Sequence, residues 1–232
     1  MTPDQLRKSC ETINITLTDQ MMSQLETYAA LLKEWNEKIN LTAITETGEI
    51  YEKHFYDSLI PLSMCEIQGS AADVGTGAGF PGLVWKIARP DLNVSLIEPT
   101  GKRCRFLEEV IHVLKLENIK VFNERAEEHV REHREEYDVV TARAVANMRV
   151  LSELCMPLVK TGGIFLAMKG SQGETEAAEA EKAVKTLGGS EAEIHRYQLT
   201  QGDSRVNLLV RKVRKTPETY PRNYGTIKKK PI

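Results

Sequence analysis

From residue 70 onward, short apolar runs alternate with stretches of helical length, and this rhythm restricts the fold more than any other feature of the chain. The runs fall at 71–74, 93–97 (NVSLI), 119–122 (IKVF), 137–142 (YDVVTA) and 163–168 (GIFLAM). Between them lie stretches such as KRCRFLEEVIHVLKL at 102–116. Strand, helix, strand, repeated, implies βαβ units and a parallel sheet, hence an α/β fold. Two further β-like runs, 193–199 and 206–210, are close enough in sequence to add an antiparallel edge. Before residue 70 there is no strand signal. Residues 18–39 carry apolar side chains at Met21, Met22, Leu25, Tyr28, Ala29, Leu32, Trp35 and Ile39, close to a helical period, with Thr18 placed to cap them. Shorter helices are expected over 51–55 and 58–65. Three parts follow: an N-terminal helical extension (1–66), a sheet domain (67–213) and a basic C-terminal tail (214–232).

Charge is unevenly distributed. From Arg205 to the end there are nine Lys or Arg residues against one acid, Glu218, a balance of +8 that leaves −10 for the rest of a chain whose total is −2. Such a tail is either a solvated terminus or an electrostatic contact for a polyanion such as RNA. Tyr220 and Tyr224 beside Arg222 add planar groups able to stack on bases. The four cysteines, Cys10, Cys65, Cys104 and Cys155, never form C-x-x-C, and the histidines show no ligand spacing. Neither a zinc site, another metal site nor a redox dithiol is expected. No apolar run is long enough to cross a bilayer, and the N-terminus lacks a signal-peptide pattern. A reduced, cytoplasmic setting without membrane contact is the expectation, with a monomer as the default state.

The stretch DVGTGAGFPG, residues 73–82, joins the first strand to the first helix of the sheet, where α/β folds bind ligands. Gly75, Gly77 and Gly79 permit a tight turn and close approach to the backbone. GAGFPG also satisfies G-x-G-x-x-G, so a dinucleotide competes. Against it, Asp73 sits at the strand end, where a carboxylate would repel a pyrophosphate, and Pro81 removes a helix-start N–H. Glu98 closes the second strand, placed to accept the hydroxyls of a ribose, and Ala126-Glu127 follows the third strand, beside an adenine edge. S-adenosyl-L-methionine meets these needs: an adenosine, an ammonium, a sulfonium and no phosphate. The plainer readings are a loop-capping Asp73 and a surface carboxylate at Glu98.

Taken together with EWNEKINLTAIT (34–45), HFYDSL (54–59), KRCRFLEEV (102–110), VVTARAV (139–145) and YPRNYGTIKKKPI (220–232), the loop resembles one family over nearly the whole chain. This is the ribosomal RNA small-subunit methyltransferase G family, also called glucose-inhibited division protein B. The resemblance implies a Rossmann-like class I S-adenosylmethionine-dependent methyltransferase fold. It also implies methylation of N7 of a guanine in 16S ribosomal RNA of the small ribosomal subunit, near the decoding region. By the same resemblance Gly75 and Phe80 contact the cofactor, Ala126 and Glu127 hold its adenine side, and Arg143 faces cofactor and incoming base.

The residues speak to the target atom independently. There is no Pro-Pro for the D/N-P-P-aromatic loop of exocyclic amine methylation. Cys104 and Cys155 fall within expected helices, so a cysteine nucleophile for C5 chemistry is not expected. Guanine N7 has a lone pair and no proton to lose, so orientation rather than base catalysis is required. Arg143 is expected to position the base or a neighbouring phosphate, the plainer reading being a salt bridge. His54 reads as a tie between extension and core. Arg149 is expected near the cleft mouth, and Arg149, Arg222, Lys228, Lys229 and Lys230 as RNA contacts. A small-molecule methyltransferase, a nicotinamide oxidoreductase and a non-catalytic RNA-binding factor are the alternatives.

Overall fold

The computed structural model describes residues 1–200 and 202–232. The extension opens with α1 (Pro3–Thr12) and α2 (Asp19–Ile39), the latter capped by Thr18, whose hydroxyl accepts from the Met21 N–H. Its inward face buries Leu25, Tyr28, Ala29 and Leu32. The next segment is less regular than the periodicity predicts. A short α3 (Thr47–Glu49) runs into a π-helical stretch, Ile50–Tyr56, then α4 (Asp57–Leu59) and α5 (Pro61–Met64). Pro61 has no N–H to donate, which accounts for the division of the expected 58–65 helix.

The sheet then follows the expected rhythm: β1 (Ser70–Val74), α6 (Gly82–Ala88), β2 (Asn93–Ile97), α7 (Gly101–Leu114), β3 (Ile119–Phe122), α8 (Ala126–His133), β4 (Tyr137–Arg143), α9 (Met148–Cys155), β5 (Val159–Lys169), α10 (Gly173–Thr186), β6 (Glu193–Gln198) and β7 (Ser204–Arg211). A last helix, α11, covers Tyr224–Lys229. The strand order is β3-β2-β1-β4-β5-β7-β6, parallel except for β7, which pairs antiparallel with β5 and β6. The order reverses between β1 and β4, whose register aligns Asp73 with Thr141. Ligand crevices form at the carboxyl side of such a reversal.

Each face of the sheet has its own core. One is filled by the extension with α6 and α7 around Tyr28, Phe55, Trp85 and Phe106. The other is filled by α8, α9 and α10 and includes Ile227 of α11. Among the described residues no helix is long and apolar enough to cross a membrane.

Candidate active site

The glycine loop leaves β1 with Gly75, Gly77 and Gly79 at φ +66°, +62° and +99°, conformations that side chains rarely adopt. Asp73 closes the loop from below: its Oδ2 accepts from Thr76 Oγ1 at 2.6 Å and from the Gly82 N–H at 2.8 Å. Its Oδ1 is buried without a hydrogen-bond partner among the described residues. Burial pushes the carboxyl up to about 6, opposed by those two hydrogen bonds. Asp73 thus does the loop-capping job of the plainer reading. Glu98 is also drawn inward. It is 1% exposed, and its Oε2 accepts from the Gly77 N–H at 3.0 Å and its Oε1 from Thr100 at 2.9 Å. A ribose would have to share oxygens that already hold the loop.

The loop's amides decide between ligands. Those of Gly75, Thr76, Gly79 and Phe80 donate to backbone carbonyls, and those of Gly77 and Gly82 to Glu98 and Asp73. Pro81 has none. A pyrophosphate would find almost no donor here. The surface still admits a ligand: a Cβ on Gly77 would meet nothing closer than 4.0 Å, whereas one on Gly75 would strike Val145 at 2.8 Å. An open glycine floor, two carboxylates and the unsatisfied Asp73 Oδ1 fit a cationic nucleoside better than a phosphate. The Phe80 ring lies in the core, stacked on His54 at 4.3 Å and Tyr28 at 5.4 Å. Ala126 and Glu127 open α8, Ala126 buried and Glu127 half-buried, with burial raising the Glu127 carboxyl.

Beside the loop is a cavity of about 520 Å³ between the ends of β4 and β5, the extension, and the β6–β7 edge. Arg143 lies in its wall. The guanidinium donates to the Lys53 carbonyl at 3.1 Å, to Asp57 Oδ2 at 3.2 Å and to His54 Nδ1 at 3.1 Å, with Cζ 4.9 Å above the Phe80 ring. Burial, aided by Arg143, depresses His54 to about 3. The imidazole is therefore neutral, accepting from Arg143 at Nδ1 and donating from Nε2 to Thr42 at 3.0 Å. It ties extension to core, as its motif suggested. Asp57 Oδ1 accepts from the Tyr197 hydroxyl at 2.9 Å, with Arg205 Nε at 3.6 Å. Asp57, Tyr197, Arg205 and Glu176 were not singled out from sequence. Only Asp57 had a local signal, its place inside HFYDSL.

The tail is not a loose arm. Arg222 forms two hydrogen bonds with the fully buried Glu153 and a third through its own N–H. Arg149 is not in the cavity wall; it donates to the carbonyls of Ile232 and Pro231, pinning the chain's end. Arg134 holds the carbonyls of Thr216, Pro217 and Tyr220. Two of the five expected RNA contacts are thus engaged inside the molecule, while Lys228, Lys229 and Lys230 are exposed. Burial raises all four thiols above their ordinary value, so none is a ready thiolate. Among the described residues no His, Cys, Asp and Glu cluster is arranged to hold a metal.

Comparison with known proteins adds to this geometry. The family described as GidB, rRNA small subunit methyltransferase G, matches residues 21–205. A ribosomal RNA small subunit methyltransferase G from Desulforamulus reducens is 47% identical over 232 residues, covering 98% of this chain and 97% of its own. Its namesake from Staphylococcus aureus strain bovine RF122 is 45% identical, covering 100% and 99%. A solved S-adenosylmethionine-dependent O-methyltransferase from Thermotoga maritima superposes with a TM-score of 0.54 over 80% of this chain and 73% of its own at 14% identity. The fold is that of the class I methyltransferases.

Proposed function

This chain belongs to the rRNA small subunit methyltransferase G family, and on that premise we propose that it methylates N7 of a guanine in 16S ribosomal RNA, near the decoding region, using S-adenosylmethionine. The observation that carries the cofactor choice is the glycine loop: its amides are engaged by its own backbone, Asp73 and Glu98, and its carboxylates favour a cationic ligand. The residues that would hold the cofactor are Gly75, Gly77, Gly79 and the Phe80 backbone, with Asp73 shaping the loop, Glu98 beside the ribose, and Ala126 and Glu127 beside the adenine. When bound, the cofactor would supply an electrophilic methyl group to the N7 lone pair, the C–S bond breaking so that the sulfonium leaves as a neutral thioether. No proton is lost from N7, so no base is needed, in keeping with a neutral His54 engaged on both nitrogens. What the protein contributes is orientation, which supplies up to roughly 7–11 kcal/mol in well-aligned systems. Arg143, already braced by Asp57, His54 and Lys53, is the residue placed to position the base or its phosphate without needing to move. Lys228, Lys229 and Lys230 supply backbone-charge contacts to RNA, as a monomer in the cytoplasm, without a metal. The test is transfer of tritium from labelled S-adenosylmethionine to unmodified small-subunit rRNA, with S-adenosylhomocysteine, and not NADH, raising the melting temperature.

A further inference from the structure

The cavity beside Arg143 holds a second charged pair. Lys169 ends β5 and Glu176 lies in α10; Nζ and Oε2 are 2.8 Å apart, and both side chains line the cavity. The ammonium has three N–H groups. One goes to Glu176 and one to the Ala146 carbonyl, leaving one. Glu176 Oε2 also accepts from the Met148 N–H at 2.9 Å, while Oε1 has no hydrogen-bond partner among the described residues. The other carboxylate in the wall, Asp57, has both oxygens engaged, by Arg143, Tyr197 and the nearby Arg205. Lys169 and Glu176 therefore set a charged donor and a charged acceptor side by side in the wall.

Resting on the guanine reading above, we propose that Lys169 and Glu176 read the Watson–Crick edge of the target base. The remaining Lys169 N–H donates to O6, and Glu176 Oε1 accepts from N1–H and N2–H2. Guanine offers acceptor, donor, donor along that edge. Adenine and cytosine offer a donor against the ammonium and an acceptor against the carboxylate, so both are repelled. Uracil matches the first two positions but has no N7. Reading this edge leaves N7, on the other side of O6, free to react. A buried polar pair left facing the wrong groups is a strong source of discrimination.

Glu176→Gln separates reading from support. Lys169 and the Met148 N–H are both donors, so they hold the amide oxygen where Oε2 stands. The amide NH2 then faces the cavity, turning an acceptor into a donor while leaving the local support intact. The target guanosine, located by strand scission, is replaced by inosine through splinted ligation, which removes only the N2 amino group. With tritiated S-adenosylmethionine, the wild-type protein should prefer guanosine to inosine by roughly tenfold in kcat/KM, the effect of one hydrogen bond to a charged group. E176Q should lose at least that factor on guanosine, no longer favour guanosine over inosine, and bind S-adenosylhomocysteine within about twofold of wild type. Equal wild-type rates on both RNAs overturn the proposal whatever the variant's stability. So does a variant that keeps the preference, or one whose cofactor affinity falls in step with its activity. Absence of label from wild-type protein on the guanosine RNA is a different result: it contradicts the guanine reading itself and the proposal with it.

Discussion

The glycine loop and the cavity next to it are assembled in opposite ways. The loop is one continuous stretch, 73–82, held partly by its own groups and from outside by the Ile97 carbonyl, Glu98 and the Tyr28 hydroxyl. The cavity draws Lys53, His54 and Asp57 from the extension, Arg143 from β4, Lys169 and Glu176 from β5 and α10, and Tyr197 and Arg205 from the sheet edge. Its ties span the chain: Arg143 to the Lys53 carbonyl, Tyr197 to Asp57. A contiguous loop is constrained by backbone conformation, so damage there should be steric and should reach cofactor binding first. A distributed cavity is constrained by paired charges, so damage there should be electrostatic and should affect turnover and stability together.

The largest effect should come from the loop. In Gly79→Ala the new Cβ would lie 2.3 Å from Leu83 Cδ1 and 2.7 Å from the Tyr28 hydroxyl at φ +99°. The expected cost is about 2–4 kcal/mol in urea unfolding, with loss of S-adenosylhomocysteine binding. A variant of unchanged stability would show the loop to be less constrained than its geometry implies.

Arg143→Ala comes next and sharpens the contrast. Arg143 read from sequence as positioning the base implies a loss of turnover far larger than any loss of stability. The structure revises this, because the guanidinium is the extension's partner for Asp57, whose side chain is only 5% exposed. Turnover should fall about 10²-fold or more, with a stability loss of about 1–3 kcal/mol tempered by Tyr197 and Arg205 remaining on Asp57. Cofactor affinity should hold. Loss of cofactor binding with turnover per bound cofactor unchanged would place Arg143 with the loop instead.

Asp73 provides a pH test. Its folded-state value, about 6, is raised above the ordinary 3.8, mainly by burial. The folded protein therefore binds the extra proton more tightly. The stability this contributes is complete below about 3.8 and is lost as pH rises through about 6. Relative to Asp73→Asn, which has no such proton, wild-type melting temperature should be highest near pH 4 and should decline toward pH 7. A constant difference across that range would remove burial as the cause.

The smallest effect on folding should come from the tail's exposed end. Lys228→Ala, Lys229→Ala and Lys230→Ala combined should leave unfolding free energy within about 0.5 kcal/mol. The same change should lower the salt slope of RNA binding by roughly 2, at about 0.7 per lost phosphate contact on single strands. An unchanged slope would mean that these lysines do not touch the RNA backbone.

The same contrast explains what could be read from sequence. The strands and the main helices were visible because their signals are periodic and local, and DVGTGAGFPG because glycine reports backbone conformation directly. The direction of a side chain is not local. Phe80 sits in a ligand loop yet turns its ring into the core, because Tyr28 and His54 from the extension offer it aromatic partners. Arg222 read as a free cation because nothing near it in sequence announces Glu153, which lies 69 residues away and is wholly buried. Glu176 lies in a Glu- and Ala-rich run, 174–183, that carries no local signal of a site, and only the fold sets it against Lys169.

The most direct test of the central claim is strand scission. Unmodified small-subunit rRNA, and separately 30S particles from a strain lacking the enzyme, would be incubated with the protein and tritiated S-adenosylmethionine, then treated with borohydride and aniline, which cleave at 7-methylguanine. The account predicts incorporation of label and a single cleavage. Label without cleavage would contradict N7 as the target atom, and no label on either substrate, with S-adenosylhomocysteine still bound, would contradict RNA methylation altogether.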